Sequence, residues 1–279
     1  MRHPSSAQYH NRIWGATAIL TAVLLNLCVA GQAHAQQLSD PKQILQKCFA
    51  TYGSMQSYEG KSSVDSVLMS AATGKVLKQT GTTALMRFRR PNRLRLDYTA
   101  PVGSRTVWSN ATEIGVFDSL ISKYWTVPAQ PTMETMLPVL YKQASTAACF
   151  DPLYGISKAA IPSRLTAFQL KPPALLNGHP VYIVTATLPG KSVSQWTWWI
   201  DRKSLLLYKL EQQTPGLTQK YRVIQDGIET IKTRPVTLTL RCVFTAITPN
   251  AAVSDDLFDF KPPAGATPQI TPPDPGAVR

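Results

Sequence analysis

The stretch that decides the fold is ALMRFRRPNRLRLDY, residues 84–98. Apolar side chains occupy every second position before the Pro91-Asn92 pair, and they do so again after it. A period of two is typical of strands that bury one face, and a Pro-Asn pair between two such runs favours a turn. The stretch therefore predicts two consecutive strands, each with one apolar face. The apolar positions are Ala84, Met86, Phe88, Leu94, Leu96 and Tyr98.

Alternating runs continue in both directions from this stretch. Together they predict a mainly β domain of roughly ten or eleven antiparallel strands, and so many strands must curl into a barrel or a strongly bent sheet. The clearest run is residues 236–247, where Val236 through Ala246 keep one apolar face. Other runs lie at residues 64–68, 76–90, 106–109, 113–118, 123–127, 167–170, 181–188, 195–201, 205–214 and 219–225.

Two segments show helical spacing instead. The first begins at Ser39-Asp40-Pro41, which supplies a capping residue followed by Pro at the first helical position, and it stops at Gly53. A second helical segment is predicted over residues 132–143, with a kink or a break at Pro138. The Pro-rich tail, residues 267–279, is predicted to be disordered.

The composition agrees with a folded, turn-rich chain. Apolar residues make up 44% of the 279 residues, and this excludes a wholly disordered protein. The 22 prolines outnumber the 15 glycines, which favours short strands and many turns over long helices. The formal net charge is +13.

The first 35 residues have the features of a secretory signal peptide. A polar start with Arg2 and Arg12 precedes an apolar run at residues 13–29, and Ala33-His34-Ala35 supplies a small-x-small cleavage pattern. We therefore expect export, with cleavage after Ala35. The alternative is an uncleaved membrane anchor, because the apolar run is near the lower length limit for spanning a bilayer.

Few residues beyond the leader have the chemistry of a catalytic or metal site. His179 is the one histidine outside the leader, in a sequence that indicates a turn, so histidine catalysis and histidine metal clusters are not expected. No nucleophile-elbow, zinc-protease, P-loop or dinucleotide motif occurs. We expect no enzymatic activity and no cofactor; an enzyme that uses carboxylates such as Asp97 and Glu113 is the remaining alternative.

Three cysteines follow the leader, and an exported context permits one disulfide among them. The sequence leaves all three pairings open. The candidates are Cys48, Cys149 and Cys242.

Three motifs resemble the LolA/LolB-like lipoprotein-carrier superfamily. The first is the Arg-Pro pair at Arg90-Pro91, followed by a short apolar strand that ends at Pro101. The second is the strand, turn and strand of residues 106–118, although Asn110-Ala111-Thr112 stands where the family has an Asp-Gly turn. The third is LFDFKPPAG at residues 257–265, which is similar to the family's C-terminal Phe-x-Phe-x-x-Pro-x-Gly signature.

This resemblance implies a half-open antiparallel barrel over residues 36–266, with an N-terminal helix and a short helical lid over an apolar cavity. The function it implies is that of a periplasmic carrier or binder of lipids or lipoprotein acyl chains. Arg90 matches the arginine that latches the lid in the LolA carriers. The ligand-binding residues expected on this basis are Met86, Phe88, Leu94, Leu96, Tyr98, Trp108, Phe117, Trp125, Met133, Met136, Leu137, Trp196 and Trp198.

The partners expected are acyl chains and, through the family, inner- and outer-membrane lipoprotein-sorting components, with the chain as a monomer. The alternative function is an envelope sensor or scaffold of the same fold that binds a protein. The basic residues Arg87, Arg89, Arg90, Arg93 and Arg95 are expected to be split between two faces of the sheet. We interpret them as a site for anionic head groups or an acidic partner, or as a solvated edge, and not as a nucleic-acid site.

Overall fold

The alternating runs of the sequence form one large open sheet. The structure is a computed structural model, and it describes residues 38–136, 139, 165–190, 192–225 and 228–269. These residues form the helix α1 (Pro41–Ser54), a short 3₁₀ helix (Asp255–Phe258), a helical turn at residues 133–136, and thirteen strands. The strands are β1 (Ser57–Ser70), β2 (Val76–Arg89), β3 (Arg93–Ala100), β4 (Gly103–Asn110), β5 (Glu113–Asp118), β6 (Lys123–Pro128), β7 (Thr166–Leu170), β8 (Ala174–Leu176), β9 (His179–Leu188), β10 (Ser194–Asp201), β11 (Leu207–Gln225), β12 (Ile228–Pro249) and β13 (Thr267–Pro268).

The sheet order is β13-β6-β5-β4-β3-β2-β1-β12-β11-β10-β9-β7, and β8 also pairs with β9. All these pairs are antiparallel except β13 with β6. The centre of the sheet is the pair of β1 and β12, which joins the two ends of the chain. Hairpin connections build the sheet outward from this pair in both directions.

The mainly β prediction is confirmed, but the predicted number of ten or eleven strands is wrong. Two strands were missed because they are too short to show alternation: β8 has three residues and β13 has two. The runs 205–214 and 219–225 were expected to be separate, yet they form the single strand β11. A register shift between Thr214 and Leu217 absorbs Pro215-Gly216 without ending the strand. The sheet is open and not a closed barrel, since its order runs from one edge strand to another.

Helix α1 packs on one face of this sheet, which we call the inner face. The Asp40 carboxylate caps the helix by accepting a hydrogen bond from the Lys42 amide at 2.9 Å. Near the last turn, Tyr52 contacts the ring of Tyr58 on β1 edge to face, and its hydroxyl accepts a hydrogen bond from the Leu207 amide. The helix therefore ties together strands from both halves of the sheet. Its buried side chains are Ile44, Leu45, Cys48, Phe49 and Tyr52.

The chain after β12 covers part of the opposite face, and we call residues 250–266 the C-terminal strap. Phe260 of the strap lies 4.4 Å from Trp108 and 5.6 Å from Phe117, measured between ring centroids. The buried residues Val253 and Phe258 add to this contact. The strap ends in β13, so two residues of the tail predicted to be disordered pair with β6.

Two sequence predictions fall partly outside the described residues. Residues 133–136 of the predicted second helix are helical, and residues 137–138 and 140–164 are not described. Cys242 is disulfide-bonded, whereas Cys149 lies outside the described residues. In the described part of the chain, no helix combines the length and the apolar character that crossing a membrane requires.

Candidate ligand-binding face

The register of β1, β2 and β3 places most of the expected ligand-binding residues on the inner face. Phe88 lies opposite Tyr58 and Leu94, and Met86 lies opposite Leu96. The rings of Tyr58 and Phe88 stack at 5.8 Å. Further along the same face, Tyr98 lies opposite Ala84, and Trp125 on β6 lies opposite Val116. All the expected residues in this row are buried.

The second half of the sheet adds two indoles to the inner face. Trp196 and Trp198 of β10 stack with 5.7 Å between ring centroids and an angle of 18° between ring planes. The register carries this face from Trp198 through Leu210 and Cys242 to Val64 of β1. Both indoles therefore lie on the same face as the row on β2 and β3.

Trp108 and Phe117 lie on the opposite face. They alternate with Val107 and Val116, which continue the inner face from Leu96. Their partner is Phe260 of the strap, so the sheet separates them from the other expected residues. Trp108 and Phe117 are therefore not part of the inner-face site.

Met133 and Met136 lie in residues 133–136, which we call the lid segment after the role that the resemblance predicts for it. Both side chains are buried, and the Met133 amide donates a hydrogen bond to the Pro91 carbonyl at 2.9 Å. Leu137, the next expected residue, lies outside the described residues.

Arg90 connects the lid segment to the end of α1. Its Nε donates to the Met55 carbonyl and its Nη2 to the Gly53 carbonyl, both at 2.9 Å. Its Nη1 lies 3.3 Å from the Glu134 carboxylate of the lid segment. The fixed fork of the guanidinium thus binds the helix end and the lid segment at once, and we call this arrangement the Arg90 clasp.

Asn92 binds residue 130, shortly before the lid segment. From the sequence, Asn92 was predicted only as part of a turn. Its side-chain nitrogen donates to the Gln130 carbonyl at 2.8 Å, and its backbone carbonyl accepts a bond from the Ser109 hydroxyl at 2.7 Å. The side chain is buried although asparagine is mostly exposed in proteins. A buried amide that holds a distant carbonyl is not visible in local sequence.

Burial shapes the ionisation of the two tyrosines beneath α1. Burial, with a smaller contribution from Tyr58, raises the pKa of Tyr52, and burial raises the pKa of Tyr58. The Tyr58 hydroxyl has no hydrogen-bond partner among the described residues. The region beneath the helix is therefore a low-polarity environment.

Four of the five clustered arginines lie together on the opposite face, which corrects the expected split. Arg87 pairs with Glu59 at 2.6 Å, and Arg95 with Asp97 at 2.9 Å. Arg89 and Arg93 both pair with Asp255 of the strap. Register explains the grouping, because Arg87 lies opposite Arg95 and Arg89 opposite Arg93. The cluster holds the strap against the sheet.

Three cavities flank the sheet among the described residues. One of about 200 Å³ is lined in part by Tyr98, Arg105 and Leu120. One of about 190 Å³ borders Trp196 and is lined mainly by residues such as Thr185 and Thr197, which alternate with the inner face. A cavity of about 380 Å³ lies near the start of β9, with His179 and Tyr208 in its lining.

A family model described as a predicted periplasmic protein (DUF2092) matches residues 41–210. No curated protein matches the sequence significantly.

Several solved structures are similar to this chain at low identity. The lipoprotein LppX of Mycobacterium tuberculosis is 15% identical, with a TM-score of 0.40 over 78% of this chain and 100% of that one. A LolA superfamily protein from Nitrosomonas europaea is 10% identical, with a TM-score of 0.33 over 80% and 99%. The MucA/MucB complex of Pseudomonas aeruginosa gives 13% identity and a TM-score of 0.34 over 80% and 62%. The predicted resemblance to the LolA superfamily is thus confirmed as a resemblance. At these TM-scores the similarity concerns the fold and not the function.

Proposed function

This chain belongs to the DUF2092 family of predicted periplasmic proteins, and we propose that it is a non-catalytic carrier or binder of lipids or lipoprotein acyl chains. The observation that supports the proposal is the large, mainly apolar inner face on which α1 packs. The proposal includes export with cleavage after Ala35, a monomeric protein, and inner- and outer-membrane lipoprotein-sorting components as partners.

The chemistry of the inner face suits an acyl chain. Keeping one chain out of water is worth about 0.8 kcal/mol per CH₂ group, so a carrier needs a long apolar enclosure more than it needs polar contacts. The rows around Met86 and Trp198 offer such a surface on both halves of the sheet. Their side chains are Met, Leu, Phe, Tyr and Trp, of which methionine adapts most readily to an irregular ligand.

The cover of this face suits a binder that must also release. The lid segment has four helical residues and is held by the Arg90 clasp and one backbone bond to Pro91. We infer that acyl chains enter beneath Met133 and Met136 when the clasp is released.

The second candidate is a sensor or scaffold that binds a protein. The closed packing of the inner face favours it, because Phe88, Leu94 and Trp198 have no exposed surface while the lid segment is in place. A protein partner would then use the outer surface and leave the inner face as core.

Native mass spectrometry with lipid extraction, on protein purified from its own periplasm, tests the carrier proposal. We expect a bound lipid or acylated peptide in the wild type and its loss in Trp196→Ser. The matched control is Trp199→Ser, because Trp199 is the neighbouring indole on the other face of β10, where Lys209 lies 3.9 Å above its ring.

Both variants must keep the circular-dichroism spectrum of the wild type. A wild-type mass without ligand, and no uptake of phospholipid or acylated peptide on incubation, would contradict the carrier proposal and favour the protein-binding candidate. Equal loss in both tryptophan variants would place the ligand elsewhere.

A further inference from the structure

The ends of β11 and β12 leave the sheet as a two-stranded projection, which we call the distal ribbon. It comprises residues 218–225 and 228–235, whose register runs from Thr218 opposite Pro235 to Gln225 opposite Ile228. The pairing of β1 with β12 begins at Val236, and that of β10 with β11 ends at Gln213. Eight residue pairs at about 3.3 Å each make the ribbon about 26 Å long.

Two isoleucines give one face of the ribbon an exposed apolar surface. Ile224 is 68% exposed and Ile231 is 69% exposed. Ile231 lies opposite Arg222, and Ile224 lies opposite Glu229, so the isoleucines are diagonal neighbours on one face. A ribbon that contacts only water gains nothing from such a pair. Exposed β-branched apolar residues favour aggregation unless they contact another apolar surface.

The ribbon carries basic residues on both faces. Lys220 and Arg222 share the face of the isoleucines, Lys232 and Arg234 lie on the other face, and Glu229 is the acidic residue among residues 218–225 and 228–235. Arg222 pairs with Glu229 at 2.9 Å, and Arg234 lies over the Tyr221 ring at 4.6 Å. Lys220 and Lys232 are exposed, one on each face of the ribbon. The ribbon is therefore positive on a chain whose net charge is already +13.

The same end of the sheet carries further exposed apolar side chains. The turn between β3 and β4 exposes Val102, and the turn between β5 and β6 exposes Leu120 and Ile121. By the antiparallel register, both turns lie at the end of the sheet from which the ribbon projects. The Arg90 clasp and the end of α1 lie at the opposite end of the sheet.

We propose that the distal ribbon docks this protein onto the surface of a bilayer that contains anionic phospholipid. Ile224 and Ile231 insert at the level of the head groups, and Lys220, which shares their face, contacts a phosphate, while Lys232 on the other face adds to the positive charge of the ribbon. A narrow apolar pair with basic flanks fits an interface that is apolar beneath and negative above. A protein partner would need a larger complementary surface than two isoleucines provide.

The experiment is flotation of the purified full chain with vesicles of phosphatidylcholine, alone or mixed with phosphatidylglycerol. We expect binding to the mixed vesicles, weakened by high salt because exposed charges are screened. The variant Ile224→Thr/Ile231→Thr keeps β-branched residues and hence the strand propensity of the ribbon. It should bind the mixed vesicles at least about tenfold more weakly than the wild type.

Two controls match these changes. Leu175→Thr removes an isolated apolar side chain that is 71% exposed on β8, and it should bind like the wild type. Lys220→Glu/Lys232→Glu should lose binding, whereas Lys47→Glu/Lys203→Glu, with the same net charge, should keep it.

Several outcomes overturn the proposal. They are no preference of the wild type for phosphatidylglycerol, wild-type binding by the threonine variant, or equal losses in the two glutamate variants. Capture of a protein through the ribbon without vesicle binding also overturns it. Flotation measures binding to the bilayer, whereas the carrier proposal is tested by lipid that stays with the protein through purification, so the two results are separate.

Discussion

The Arg90 clasp gives the most direct test of how the inner face is closed. In Arg90→Ala, the carbonyls of Gly53 and Met55 lose their donors, and Glu134 loses its cation. A hydrogen bond to a charged group contributes about 1.5–3 kcal/mol. The Arg90 side chain is 17% exposed, so water replaces part of the loss. The Glu134 pair adds less than about 1 kcal/mol, because that carboxylate is partly solvated. The Glu134 pair is what joins Arg90 to the lid segment, whereas both carbonyls belong to the end of α1. We therefore expect Arg90→Ala to destabilise the end of α1 by about 2–4 kcal/mol and the closed lid segment by less than about 1 kcal/mol.

The assay is hydrogen–deuterium exchange resolved to the peptide that contains residues 133–136. The amides of Met133 and Met136 are both hydrogen-bonded, to the carbonyls of Pro91 and Thr132. A destabilisation of about 0.5–1 kcal/mol corresponds to about 2- to 5-fold faster exchange, since 1.4 kcal/mol is tenfold. Arg90→Lys keeps the charge but not the fork, so its exchange rate should lie between those of the wild type and Arg90→Ala.

Arg241→Ala is the matched control. Arg241 is 47% exposed and pairs with Glu211 on the sheet surface at 3.1 Å, an interaction worth about 0–1 kcal/mol. Its exchange at residues 133–136 should equal that of the wild type. Unchanged exchange in a folded Arg90→Ala protein would show that the lid segment does not depend on the clasp.

Three further changes test the packing of the sheet. In Gly115→Ala the new methyl group overlaps the Trp108 indole, which the strap holds in place, so urea unfolding should show a loss of about 1–3 kcal/mol in the free energy of unfolding. In the control Gly81→Ala the new Cβ has no heavy atom closer than 3.6 Å, so stability should change far less. Equal losses in the two variants would refute the steric argument. Burial raises the pKa of Tyr58 in the folded state above the usual value of about 10. Above about pH 10 the unfolded chain therefore loses a proton that the folded protein keeps. The free energy of unfolding falls as the pH rises through this range. Tyr58→Phe should make that fall less steep and cost nothing at neutral pH; an unchanged alkaline profile would count against it. Asp201→Ala removes an oxygen that accepts three hydrogen bonds in the turn before β11, so it should cost about 2–3 kcal/mol in the same urea assay, and a loss below about 0.5 kcal/mol would contradict this role.

The sequence predicted the elements whose signals are local. The alternation on both sides of Pro91-Asn92 and the cap at Asp40 depend on residues within one strand or one turn, and the structure has β2, β3 and α1 where they were expected. The sequence did not predict which face of the sheet each buried side chain of β4 and β5 occupies. Residues 106–109 and 114–117 are buried on both faces, because the strap covers one and the core covers the other. Alternation therefore could not show that Trp108 faces the strap.

The contacts that define the candidate site are also nonlocal. Arg90 contacts Met55 and Glu134, which lie 35 and 44 residues away along the chain. The resemblance supplied a latch at Arg90, but only the fold supplies its partners. Likewise, residues 219–225 were correctly predicted to be extended, while the projection of the ribbon follows from where β1 and β10 stop pairing with their neighbours.

The strength of the lid closure sets how many acyl chains the inner face can hold reversibly. Opening breaks the Arg90–Glu134 pair, worth less than about 1 kcal/mol, and exposing Met133 and Met136 costs about 1.5–3 kcal/mol each. The sum is about 3–7 kcal/mol, whereas an acyl chain of about 15 CH₂ groups gains about 12 kcal/mol when it is fully enclosed. One chain thus offsets the opening, and a second adds its gain after the lid is already open. We predict that a diacyl phospholipid binds far more tightly than its single-chain lysolipid, measured by titration calorimetry on the delipidated protein. Equal affinities would mean that the second chain stays outside the inner face.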